Sequence, residues 1–178
     1  MAQQRRPIYL VGPMGAGKST IGQALADRLG ISFRDSDRHI ESMTGQSIPQ
    51  LFEKLGEAGF RDHEETALES LTLQPDVVLA TGGGAILRRA NRQRLNDRGI
   101  VVYLSASVAS QLKRTRGSDR PLLKTGDPEE RLRTLLAERD PLYRTTAHHV
   151  IDTDGQTPEA VIETLLAASG SETIGQPG

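Results

Sequence analysis

The chain has no cysteine and no tryptophan, and its aromatic residues amount to only 3% of 178 positions. Without cysteine there is no disulfide framework and no thiolate metal site, which agrees with a reducing compartment. Scarce aromatics argue against base stacking on nucleic acid, even though Lys113, Arg114 and Arg116 cluster. A dominant charge is missing too. The 22 basic and 23 acidic residues leave a net charge of −1, so no field attracts nucleic acid or a membrane surface. Long apolar runs are absent as well: Met1 to Pro7 leads into only a few apolar residues before Gly12, too short for a signal-peptide core or a membrane span. The expectation is a cytoplasmic, monomeric protein whose partner is a small molecule. Its length suits one domain with a substantial core.

What is present begins with Gly12-Pro13-Met14-Gly15-Ala16-Gly17-Lys18-Ser19, the G-x-x-x-x-G-K-[ST] phosphate-binding pattern, between the apolar run Ile8 to Val11 and a helix-periodic segment. Glycines let the backbone curl so that N–H groups around Gly15, Ala16, Gly17, Lys18, Ser19 and Thr20 face a nucleotide's phosphates, and the helix N-terminus adds partial positive charge. Lys18 reaches the outer phosphates, and the Ser19 hydroxyl is placed to ligate magnesium. ATP or GTP is the expected ligand.

Short β-branched runs alternate with helical patterns, which predicts an α/β three-layer sandwich with a parallel sheet covered on both faces. The strands are expected at Ile8–Val11, Ser32–Asp35, Val77–Ala80, Val101–Leu104 and His149–Asp152. Ile21, Leu25 and Leu29 share one helical face, and Gly30 terminates that helix. Ser47 caps a second helix with Pro49 in its first turn and Gly56 at its end; Thr157-Pro158 opens the last one. Residues 1–168 are read as one domain and 169–178 as a frayed tail.

A phosphate loop does not by itself separate a switch GTPase from an ATPase or a kinase. Lysine occurs only at positions 18, 54, 113 and 124, so no guanine-reading N-K-x-D segment exists. The third strand ends in Thr81-Gly82-Gly83-Gly84, where a Walker-B aspartate would otherwise stand. The metal carboxylate must then come from Asp35 or Asp37, at the end of the second strand. One can hold magnesium through water while the other orients or deprotonates an acceptor hydroxyl; the same pair also suits a helix N-cap. The triple glycine allows close approach of a ligand to the backbone. Arg61 reads as part of a solvated helix face beside its acidic neighbours, yet with Arg139 it can also fork onto a carboxylate. Thr115 to Asp127 is polar and long enough for a lid carrying Arg120 toward the phosphates, with Gly117 and Gly126 absorbing backbone change and Pro121 keeping the following stretch out of helix.

Together, Leu10 to Ser19, Asp35-Ser36-Asp37, Gly59-Phe60-Arg61, Thr81 to Gly84, Arg120-Pro121-Leu122-Leu123 and Arg139-Asp140-Pro141-Leu142-Tyr143 resemble the shikimate kinases in order and spacing. The resemblance implies a nucleoside-monophosphate-kinase-like core with strand order 2-3-1-4-5. It implies transfer of phosphate from ATP, with Mg2+, to the 3-hydroxyl of shikimate, in chorismate and aromatic amino-acid biosynthesis. By matching position, Asp37, Arg61, Gly83 and Arg139 would hold shikimate, Arg120 would reach ATP, and Arg114 and Gln156 would lie near the adenine. Lys18, Asp37 and Arg120 would carry the catalysis, and Ser19 with Asp35, through water, the metal. Two alternatives stay open: a related kinase acting on another hydroxy acid, such as gluconate kinase, and a catalytically silent ATP-binding regulator.

Overall fold

The computed structural model describes residues 5–116 and 120–171. Strands β1 (Ile8–Val11), β2 (Ser32–Asp35), β3 (Val77–Ala80), β4 (Ile100–Ser105) and β5 (His149–Asp152) form one parallel sheet in the order β2-β3-β1-β4-β5. Four of the five strand spans are those read from the sequence, and β4 gains one residue at each end.

Side chains alternate across a strand, so the continuous apolar run of β1 feeds two cores at once. Ile8 and Leu10 pack with Ile21 and Leu25 of α1 (Lys18–Leu29) and with Val161 and Leu165 of α7 (Pro158–Ser171). Tyr9 and Val11 pack on the other face with Leu68 and Leu71 of α3 (Ile48–Leu71), Leu95 of α4 (Arg89–Arg98) and Tyr143 of α6 (Pro128–Thr146). A sheet buried on both faces is what makes these strands legible as short β-branched blocks.

Helix punctuation follows local chemistry. Gly30 takes a left-handed conformation after α1, and Ser47 forms a capping box with Gln50 before α3. Gly56 breaks the helical path as expected, with φ 69° and ψ −179°, but the chain resumes helix at once and runs on to Leu71. Two other expectations are corrected. Pro121 does not keep its stretch out of helix: it starts the one-turn 3-10 helix Pro121–Leu123, because a fixed φ suits the first helical position. Ser169, Gly170 and Ser171 belong to α7 rather than to a frayed tail, since each residue added to an existing helix gains a hydrogen bond at little cost. Gly117 and residues 172–178 lie outside the described residues.

β1 sits between β3 and β4, and the chain crosses from one side of β1 to the other after β3. In open parallel sheets ligands bind where the strand order reverses in this way, outside the carboxyl ends of the strands. The phosphate loop, the turn after β3 and the start of α2 (Ser36–Thr44) all meet there.

Candidate active site

Gly17 caps the start of α1 in a left-handed conformation, φ 88°, that a side chain would strain, so the loop's final glycine is required by its backbone. Lys18 follows it and donates to the carbonyls of Gly12 and Pro13, 2.8 Å each. The lysine is thus folded onto the loop. Burial and then the charge of Arg120 bring its ammonium down to about 7, against the pull of Asp37 and Asp35. A phosphate placed there would restore the lost proton. Nucleotide binding at pH 8 is therefore expected to take up protons, measured by calorimetry in buffers of different ionisation enthalpy; uptake should vanish in Lys18→Met. Equal heats in all buffers for both proteins would refute the assignment of Lys18 to the phosphates.

Asp35 closes β2 and caps α2. Its Oδ1 accepts from the amides of Asp37 and Arg38, while Oδ2 accepts from the Ser19 hydroxyl at 2.6 Å. The capping role and the proximity to Ser19 are therefore both present. These two hard oxygens suit magnesium, which keeps several waters and takes only one or two protein ligands. Among the described residues no cluster of three or more His, Cys, Asp or Glu offers a self-contained metal cage.

Asp37 stands two residues on, in the first turn of α2, with Oδ1 buried and unpartnered. Burial and then the Asp35 charge push its carboxyl up, opposed by Lys18 and Arg120. Across from it lies the turn after β3. A methyl group on Gly82 would fall 2.9 Å from both Asp37 Oδ1 and Glu64 Oε2, and one on Gly84 would collide with the Arg61 guanidinium at 2.3 Å. The glycines here leave room for the protein's own charged side chains, a demand the sequence alone does not show.

Arg61 is only 7% exposed, not on a solvated face. It does keep the acidic neighbours expected of it: Glu64 at 3.0 Å and Glu57 at 3.2 Å. Its guanidinium also lies over the rings of Phe60 and Phe52, at 5.2 and 5.9 Å. Arg139, from α6, is 4% exposed, and no ion pair holds it among the described residues. Its Nε is buried without a partner. A buried arginine that lacks a carboxylate is costly unless a ligand supplies one.

These groups line two cavities. One, of about 470 Å³, includes Met14, Phe52, Phe60, Arg61, Glu64 and Arg139. The other, of about 350 Å³, includes Gly15, Lys18, Ser19, Thr20, Asp35 and Arg114. Both are walled by Asp37, Gly82, Gly83 and Arg120, so the two sites meet at those residues. Arg114, on α5 (Val108–Thr115), donates to the Gly15 carbonyl at 2.7 Å. The short helix after Arg120 packs Leu122 and Leu123 on Met14, Leu132 and Leu135, which seats this segment over the phosphate loop. Gln156 is not drawn in: it is exposed, donates to the Asp152 carbonyl at 2.5 Å and lines neither cavity. Ala16 turns its side chain into the core beneath the loop.

The residues 14–169 match the family model described as shikimate kinase. The chain belongs to the shikimate kinase family. It is 54% identical to the shikimate kinase of Acinetobacter baylyi, over 89% of each chain. It is 53% identical to that of Halorhodospira halophila, over 94% of this chain and 97% of that protein. The solved structure of the shikimate kinase from Acinetobacter baumannii in complex with shikimate superposes with a TM-score of 0.94 at 49% identity, covering 97% of each chain. The strand order found here is that of the P-loop kinase fold, as the resemblance implied.

Two contributors escaped the sequence reading. Glu64 is fully buried and helps fix Arg61, but in Asp62-His63-Glu64-Glu65 nothing sets it apart from Glu65, which pairs with Arg88 at the surface. Tyr143, in the Arg139 to Tyr143 signature, stacks on Tyr103 at 4.8 Å and donates its hydroxyl to the Gly83 carbonyl at 2.5 Å. Burial pushes that phenol up to about 12, so it remains a donor. Tyr143→Phe is expected to cost about 0.5 to 1.5 kcal/mol of stability by removing a hydrogen bond to a half-buried carbonyl. It should also raise the acceptor KM more than the ATP KM, as steady-state kinetics would show; a shift in ATP KM alone would mean that Gly83, which borders both cavities, serves the nucleotide.

Proposed function

We propose that the chain catalyses ATP-dependent phosphorylation of the 3-hydroxyl of shikimate, as a cytoplasmic monomer in aromatic amino-acid biosynthesis. The observation that carries this reading is Arg139: a buried guanidinium with no ion pair among the described residues, in a cavity that shares its wall with the phosphate loop's own. A carboxylate-bearing acceptor would complete it, and the relatives named above are kinases of such an acid. Residues 1–168 act as one unit, with the segment around Arg120 as lid.

In this reading Gly15 to Thr20 cradle the ATP phosphates, and Lys18 and Arg120 neutralise charge on the transferring group. Ser19, and Asp35 through water, would hold Mg2+, which when bound screens the phosphate oxygens. Arg61 and Arg139 take the acceptor's carboxylate, and Gly83 with Asp37 takes its hydroxyls. Asp37 aligns the attacking hydroxyl and receives its proton at the free Oδ1. Arg114 borders the base end of the nucleotide cavity.

ADP formation that requires shikimate, and is absent with gluconate or with no acceptor, is the direct test. Arg139→Ala is expected to raise the shikimate KM about ten- to hundredfold, corresponding to the loss of a charge-assisted contact. Arg61→Ala should do the same, and the two should couple in the double variant because they share one ligand group. ATP KM should hold within about twofold. Strict additivity would refute a shared carboxylate.

A further inference from the structure

The two arginines assigned to one carboxylate are not equivalent. Arg139 has no ion pair among the described residues, whereas both terminal nitrogens of Arg61 already meet carboxylates, Nη1 on Glu64 and Nη2 on Glu57. The two carboxylates differ sharply. The Glu64 side chain is 1% exposed and its bond to Nη1 is enclosed, so it holds the guanidinium flat over Gly84 and cannot leave without stranding two buried charges. The Glu57 side chain is 48% exposed and approaches from solvent. Water can solvate it the moment it lets go, and exposed pairs of this i,i+4 kind are weak.

Glu57 owes its place to the break at Gly56. That residue leaves the helical path with φ 69° and open space around it, and Glu57 is the first residue of the resumed helix. One turn later stands Arg61. Without the break, the carboxylate would not open a helical turn whose N-terminal dipole favours it.

We infer that Glu57 is an internal competitor for the acceptor's carboxylate: in the empty site it occupies Arg61 Nη2, and it must swing to solvent when the acceptor docks. This rests on the reading that Arg61 grips that carboxylate. Its consequence is to set the affinity of the acceptor cavity from outside it. The carboxylate is the same on acceptor and phosphorylated product, so Glu57 weakens both alike, and weakening of that uniform kind changes KM without adding to kcat.

The test is Glu57→Gln, which keeps the shape and a hydrogen bond to Arg61 but removes the charge. The shikimate dissociation constant by calorimetry, and the shikimate KM, should each fall about two- to fivefold, while kcat does not rise and ATP KM stays put. Because Glu57 is half exposed, the ratio of wild-type to variant KM should shrink toward one as salt rises past physiological strength, where charges about 8 Å apart are screened. Glu57→Ala, which also loses the hydrogen bond, should still bind more tightly than wild type. A KM that is unchanged or raised in Glu57→Gln, with wild-type melting, overturns the inference. Arg61→Ala separates the two levels: if it leaves the shikimate KM alone, the reading of Arg61 fails, whereas if it raises KM and Glu57→Gln does not lower it, only the competitor role fails.

Discussion

Lys18→Ala is expected to remain folded and to lose about 10³-fold or more in kcat. Lys18 stands at the first residue of α1, where it donates to the Gly12 and Pro13 carbonyls and faces the nucleotide cavity rather than either core. Removing a fixed charge aimed at developing negative charge typically costs 10²- to 10³-fold, and cationic fingers on a transferring phosphoryl group are worth about 10³ to 10⁵. The structural cost is small by comparison. Two carbonyls, of Gly12 and Pro13, lose a donor, but the fold gains back the penalty of holding a depressed ammonium. That penalty has a definite pH sign. The folded state gives up the proton near 7 and the unfolded chain near 10.5, so stability in the wild type should rise with pH between those values and the rise should be weaker in the variant. Turnover within tenfold of wild type, by a coupled ADP assay, would refute the assignment of the phosphate loop.

Asp37→Asn should separate catalysis from stability in opposite directions. The carboxylate has one oxygen buried without a partner, next to the equally unpartnered Oε2 of Glu64, and burial with the Asp35 charge pushes its carboxyl up. An acid raised in the folded state destabilises the fold above its unfolded value, and more so as pH climbs through the folded one. Asparagine removes that charge. The variant should therefore melt as high as wild type or a few degrees higher at pH 7, while kcat falls about 10²- to 10⁴-fold through loss of the group that aligns and deprotonates the hydroxyl. ATP KM should change little. If ATP affinity collapsed while kcat at saturation survived, Asp37 would be a metal ligand and Asp35 the better candidate for the acceptor.

Side chains that touch the acceptor cavity come from the phosphate loop, α2, α3, the Arg120 segment and α6, and their legibility varies with how local their signal is. Asp37 was found because a strand end followed by two carboxylates is a short-range pattern in a parallel sheet. Arg61 stayed ambiguous because a helical arginine with acidic residues at i−4 and i+3 looks the same whether its face meets water or a pocket. Only the packing of α3 against the turn after β3 decides between them, and it buries Arg61 and Glu64 while leaving Glu57 and Glu65 outside. Gln156, carried over by position alone, sits at the surface of the β5 to α7 turn.

The sequence by itself determined the α/β class, the span of β1, β2, β3 and β5, the caps at Gly30 and Ser47, and the phosphate loop, because each rests on a repeat or cap within a few residues of chain. It also placed Asp35, Asp37 and the triple glycine at strand ends, where ligands bind. What only the tertiary structure decided is which charges are paired. Glu64 and Glu57 differ by about two turns of one helix, yet one is sealed under Arg61 and the other is solvated, while Arg139 arrives from a distant helix and meets no carboxylate among the described residues. Burial and pairing are long-range outcomes of how α3, α6 and the β3 turn pack together, and the cost of an unpaired charge depends on that enclosure rather than on the residue type.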